Sequence, residues 1–86
     1  MNIRIGIMME SMLVGYIIED KNAPWEDRFW IDMPSVGVKT FGNDNRARIF
    51  VTKQEADLVN DDIQYEYGIN TVVTKRSDLY PKTWWF

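Results

Sequence analysis

Ala47-Arg48-Ile49-Phe50-Val51-Thr52-Lys53-Gln54-Glu55-Ala56 reads as a strand handing over to a helix. Ala47, Ile49 and Val51 alternate with Arg46, Arg48 and Phe50, the two-residue period of a half-buried strand. Thr52 and Glu55 then stand at capping-box spacing. The threonine hydroxyl can accept from the backbone N–H three residues on, while the glutamate reaches back to the backbone N–H of Thr52. Downstream, Ala56, Val59, Ile63 and Tyr67 recur at three- and four-residue steps. They predict a helix over about 53–67 that lays one apolar stripe on a sheet. Gly68 follows as the expected left-handed terminator.

Working outward, Gly42-Asn43-Asp44-Asn45 predicts a hairpin turn, since these residues tolerate positive φ and bond their own backbone. Upstream, strands are expected at Ile3–Met8, at Met12–Glu19, at Arg28–Met33 and from Val36 to Phe41, with Pro34-Ser35 between the last two. Met12–Glu19 is apolar on both faces until Glu19, as suits a strand covered on both sides. Phe29 shares a face with Ile31 and Met33, so Trp30 points the other way and is either exposed or covered by something else. Ile69–Thr74 is the last expected strand. Residues 77–86 form an aromatic C-terminal tail. The fold class is α+β: a mostly antiparallel sheet of four to six strands with one amphipathic helix packed on one face.

The 86 residues suit one domain, 1–86, because a second core would not fit. A hydrophobic fraction of 45% separates the chain from disordered compositions. It has neither cysteine nor histidine. Disulfides, thiolate chemistry, the usual general base near neutral pH and the commonest transition-metal ligand are therefore excluded. No cofactor or metal is expected, and no carboxylate pair stands out by spacing as an acid–base couple, so an enzyme is not expected. No apolar run reaches the roughly 20 residues of a membrane helix, and a cytoplasmic location is expected.

Ten basic and 13 acidic residues leave a formal charge of −3. Three groups of side chains are candidates for recognition. The aromatics Trp25, Trp30, Trp84, Trp85 and Phe86 offer large apolar area with a donor on each indole, the chemistry of interface anchors. The simpler expectation is a tail that folds back over the open sheet face onto Trp25 or Trp30 and completes a small core, and the two roles can share residues. Asp57, Asp61, Asp62 and Glu66 lie on the polar side of the helix. The 57/61 and 62/66 pairs are like charges four apart, a mild repulsion that a basic partner would relieve. Arg46, Arg48 and Phe50 make a basic and aromatic strand face, an alternative platform for single-stranded nucleic acid. The acidic pI of about 4.8 counts against that alternative.

The pattern Ala47-x-x-Phe50-x-Thr52-x-x-Glu55-Ala56, on a strand feeding a capped helix, resembles one common in small phage-encoded α+β accessory proteins. It covers roughly residues 44–68 and carries no functional residues with it. The resemblance implies a phage product of the anti-CRISPR-like kind that binds and blocks a host defence complex in the host cytoplasm. A small viral assembly protein or homo-oligomer is the other expectation for a chain of this composition.

Overall fold

The structure is a computed structural model that describes residues 13–32 and 40–80. Its sheet has four antiparallel strands: β1 (Tyr16–Glu19), β2 (Phe29–Trp30), β3 (Phe41–Gly42) and β4 (Val72–Lys75). Their order is β3-β2-β1-β4. The long helix α1 (Lys53–Tyr67) joins β3 to β4, and a short helix α2 (Arg76–Leu79) follows β4. The class expected from the sequence is the class observed. The expected first strand Ile3–Met8, Met12, the stretch from Met33 through Val38, and Trp84, Trp85 and Phe86 lie outside the described residues.

β1 is interior to the sheet. It pairs with β4 from Tyr16↔Lys75 to Glu19↔Val72 and with β2 at Glu19↔Phe29. Ile17 and Ile18 point to opposite faces and both are buried, as the two-sided apolar pattern requires. The strand is shorter than the expected Met12–Glu19 because Gly15 sits at φ +97°, a conformation that interrupts an extended chain. β2 covers only two residues of the expected third strand, although the Ile31 N–H still donates to the Thr40 carbonyl at 2.9 Å.

The helix-side core joins Ile18, Trp30 and Phe50 to Ala56 and Ile63 of α1. Trp30 is therefore covered, and its ring stacks on Phe50 with centroids 6.0 Å apart. On the second face, Ile17, Phe29 and Leu13 are buried, and the Trp25 ring meets Phe29 edge-on at 4.9 Å.

α1 begins and ends where the sequence predicts. The Thr52 hydroxyl accepts from the Glu55 N–H at 3.2 Å. Gly68 closes the helix in the left-handed conformation, donating its N–H to the Gln64 carbonyl at 3.0 Å. Only half of the capping box forms, because the Glu55 carboxylate faces Arg48 at 3.6 Å instead of Thr52.

Three expectations are corrected. Residues 46–51 are not a strand: Asp44–Arg46 is a 3-10 turn, and only Phe50 bridges to Tyr16. The facing is also reversed, since Phe50 is 1% exposed while Ile49 and Val51 are 50% and 82% exposed. The aromatic ring has far more area to remove from water than either aliphatic, and the bridge to Tyr16 turns it inward. Gly42-Asn43-Asp44-Asn45 is not a hairpin turn either. Gly42 belongs to β3, and the Asn43 side chain caps the 3-10 turn by accepting from the Arg46 N–H at 3.2 Å.

The last strand runs Val72–Lys75 in place of Ile69–Thr74. Thr71, just before it, is buried and bound to α1. Its hydroxyl donates to Asn60 Oδ1 at 2.5 Å, and its carbonyl accepts from Gln64 Nε2 at 2.7 Å.

Candidate docking surface on the long helix

α1 carries three stripes because 3.6 residues complete a turn. Ala56 and Ile63 face the core. Val59, Asp62, Ile63, Glu66 and Tyr67 border a groove of about 430 Å³ whose far wall is Trp30 and Arg48. The third stripe, Leu58, Asp61, Asp62 and Tyr65, follows the i, i+3, i+4, i+7 spacing of one helix face. Leu58 is 65% exposed and Tyr65 93%. Two large apolar side chains thus stand in water on either side of two carboxylates.

The four expected acidic residues are not equivalent. Asp57 is paired with Lys53, whose Nζ lies 2.9 Å from Oδ2. The hydrogen bond and charge of Asp57 hold the Lys53 ammonium above its ordinary pKa. This pair offsets the expected 57/61 repulsion. Asp61, Asp62 and Glu66 form no ion pair among the described residues. Their charge is available to a partner.

Arg48 is committed elsewhere. Its guanidinium lies 3.2 Å from Asp32 and 3.6 Å from Glu55. It also covers the Phe50 ring at 4.7 Å and the Trp30 ring at 5.7 Å. The basic platform expected from Arg46, Arg48 and Phe50 is therefore dispersed: Phe50 is in the core, Arg48 lies across it in ion pairs, and Arg46 sits on the 3-10 turn. No ring is left there on which a base could stack.

The aromatic candidates separate as well. Trp30 is a core residue whose Nε1 has no hydrogen-bond partner among the described residues. Trp25 is partly exposed, and its Nε1 donates to Asp44 Oδ1 at 3.1 Å. Asp44 also accepts from the Tyr80 hydroxyl, so one carboxylate ties the 3-10 turns at Trp25–Asp27 and Asp44–Arg46 to the segment after α2. Burial, reinforced by that hydrogen bond, pushes the Tyr80 pKa up to about 12.

Leu58 and Tyr65 were not among the residues singled out from the sequence. The available signal is their seven-residue separation around Asp61 and Asp62, on the side of the helix away from Ala56 and Ile63. No group of three or more acidic side chains that could hold a metal ion exists among the described residues, and no helix among them is long and apolar enough to cross a membrane. Comparison with known proteins yields no matching family model, no matching curated protein and no matching solved structure.

Proposed function

We propose that this protein is a non-catalytic binding module that docks through the outer face of α1 onto a basic surface of a partner protein. One observation carries the reading: Leu58 and Tyr65 stand exposed around Asp61 and Asp62, and this stripe runs beside the groove bordered by Asp62, Glu66 and Tyr67. Exposed apolar side chains supply area to bury and tyrosine is a favoured anchor. Unpaired carboxylates speed encounter with a positively charged surface and set its register. The matching partner presents lysines and arginines around an apolar pocket, as sites that normally hold nucleic-acid phosphates do. A host defence complex, the target implied by the resemblance to phage accessory proteins, is a partner of this chemistry.

The test begins with capture of partners from a bacterial host lysate and proceeds to the purified pair. Tyr65→Ala should weaken the complex by at least about 30-fold, the effect of removing a hot-spot side chain worth about 2 kcal/mol. Asp61→Asn/Asp62→Asn should slow association and flatten its salt dependence. All three positions are exposed, so the variants should melt close to the parent. A partner held equally well by the parent and by both variants would sink the reading.

A further inference from the structure

The groove between α1 and the Trp30–Arg48 wall has a row of acids along one flank of the helix. Glu55, Asp62 and Glu66 stand at i, i+7 and i+11, a spacing that returns to the same side of a helix. The first of them is matched within the chain. The Arg48 guanidinium lies 3.6 Å from Glu55 and 3.2 Å from Asp32, over the Phe50 ring at 4.7 Å and the Trp30 ring at 5.7 Å. A guanidinium set between two carboxylates and against aromatic rings is thus an arrangement this fold contains. One to three turns further along the helix, Asp62 and Glu66 border the groove, and neither forms an ion pair among the described residues.

Two further features favour positive charge at that end. Asp62 and Glu66 are like charges four residues apart, a repulsion that a cation between them relieves. They also stand toward the negative, C-terminal end of the helix dipole, and the last turn of α1 has no basic residue. The rest of the lining there is apolar or aromatic. Val59 and Ile63 lie beside the acids, and the Tyr67 ring, 41% exposed, makes a T-shaped contact with Phe41 at 6.4 Å. Because Arg48 is balanced by Asp32 and Glu55, the groove carries an excess of negative charge.

Given the docking proposed for α1, on which this assignment rests, we infer that the groove receives one arginine side chain of the partner protein. Its guanidinium sits at Asp62 and Glu66, and its methylene stem runs along Val59 and Ile63. Arginine suits this lining better than lysine does. The planar guanidinium meets a carboxylate through two N–H groups while its face lies on an aromatic ring, and it is more weakly hydrated than an ammonium. The stem gains from an apolar floor that keeps the charged head at the rim.

The test adds N-acetylarginine N-methylamide, and its lysine and citrulline counterparts, to the isotope-labelled full chain and follows the NMR shifts. The arginine compound should saturably shift Val59, Ile63, Glu66, Tyr67 and the Trp30 indole. It should bind at least about threefold more tightly than the lysine compound, by virtue of the planar head. The citrulline compound keeps the shape and loses the charge, so it should bind at least about tenfold more weakly than the arginine compound. Asp62→Asn/Glu66→Gln should weaken arginine binding by a similar factor; both positions are exposed, so this variant should melt close to the parent. Asp57→Asn, on another flank of the helix, should leave the binding unchanged. Absence of shifts at the groove, equal binding of the arginine and citrulline compounds, or binding untouched in the double variant would each overturn the assignment. No partner is present in this experiment, so its failure strikes the groove alone, whereas a purified complex indifferent to Tyr65→Ala strikes the docking face.

Discussion

Replacing Gly15 by alanine should be among the most damaging single-methyl changes available to this chain, and Gly68→Ala is its control. Both glycines have positive φ, +97° and +65°, so an alanine at either site meets the backbone cost of about 1–2 kcal/mol. Their surroundings differ. A Cβ on Gly15 would lie 2.8 Å from the Phe50 carbonyl oxygen and 2.8 Å from Ile49 Cγ2, whereas a Cβ on Gly68 meets nothing within 4 Å. The Phe50 carbonyl cannot move freely, because it accepts from the Tyr16 N–H at 2.8 Å while the Phe50 N–H donates back to Tyr16 at 2.8 Å. Displacing it strains two hydrogen bonds worth about 1 kcal/mol each and loosens the ring they hold in the core. Gly15→Ala should therefore lose about 3–4 kcal/mol and Gly68→Ala about 1 kcal/mol. At about 4–8 °C per kcal/mol for a domain of this size, the two melting temperatures should differ by at least 8 °C or so. Urea denaturation followed by tryptophan fluorescence gives the free energies directly. Equal losses, within about 0.5 kcal/mol, would refute the argument that the Phe50 bridge depends on an unoccupied position at Gly15.

Thr52→Ala should destabilise by about 1 kcal/mol through loss of the helix cap. Glu55→Gln should stay within about 0.5 kcal/mol, because Glu55 makes only an exposed ion pair with Arg48; chemical denaturation of the two variants compares them. Raising pH should weaken the fold through Tyr80. Its folded pKa, pushed up to about 12 from 10.0, lies above the unfolded value, so the contribution is complete below pH 10 and lost as pH climbs toward 12. Melting curves across that window should fall more steeply for the parent than for Tyr80→Phe. Phe50→Ala should cost about 3–5 kcal/mol, whereas Arg46→Ala, on an exposed turn, should remain within about 0.5 kcal/mol; calorimetry separates them.

The parts of the fold that are legible in the sequence are those set by neighbours along the chain. The Thr52 cap, the stripe through Ala56 and Ile63, and the Gly68 terminator are all local, and α1 has the predicted bounds. At residues 46–51 the pattern misleads, because alternation alone does not say which face is inward. That choice rests on Tyr16 and Gly15, more than thirty positions earlier. The last strand slipped for a related reason: Thr71 is held by Asn60 and Gln64, a side-chain arrangement that carries no strand signal. For the candidate site, the acidic side of α1 was visible, but its division into a paired Asp57 and unpaired Asp61, Asp62 and Glu66 follows from where Lys53 points. The aromatic content was equally visible. Its separation into a core Trp30, a tethered Trp25 and an exposed Tyr65 depends on the tertiary packing.

The pairing of β1 with β4 bears on how the chain acquires its shape during synthesis. Ile17 meets Thr74 and Tyr16 meets Lys75, so the central ladder joins the two extremes of the described chain. Closing a loop of that span costs about 3.5 kcal/mol beyond a constant, and contacts this distant in sequence slow folding. On the ribosome, α1 can form early from its own local signals, but β1 must wait, its apolar faces incompletely covered, until Lys75 has left the exit tunnel. A chain ending a few residues before β4 would keep the β1–β2 and β2–β3 pairings but lack the four-residue ladder that covers the other edge of β1.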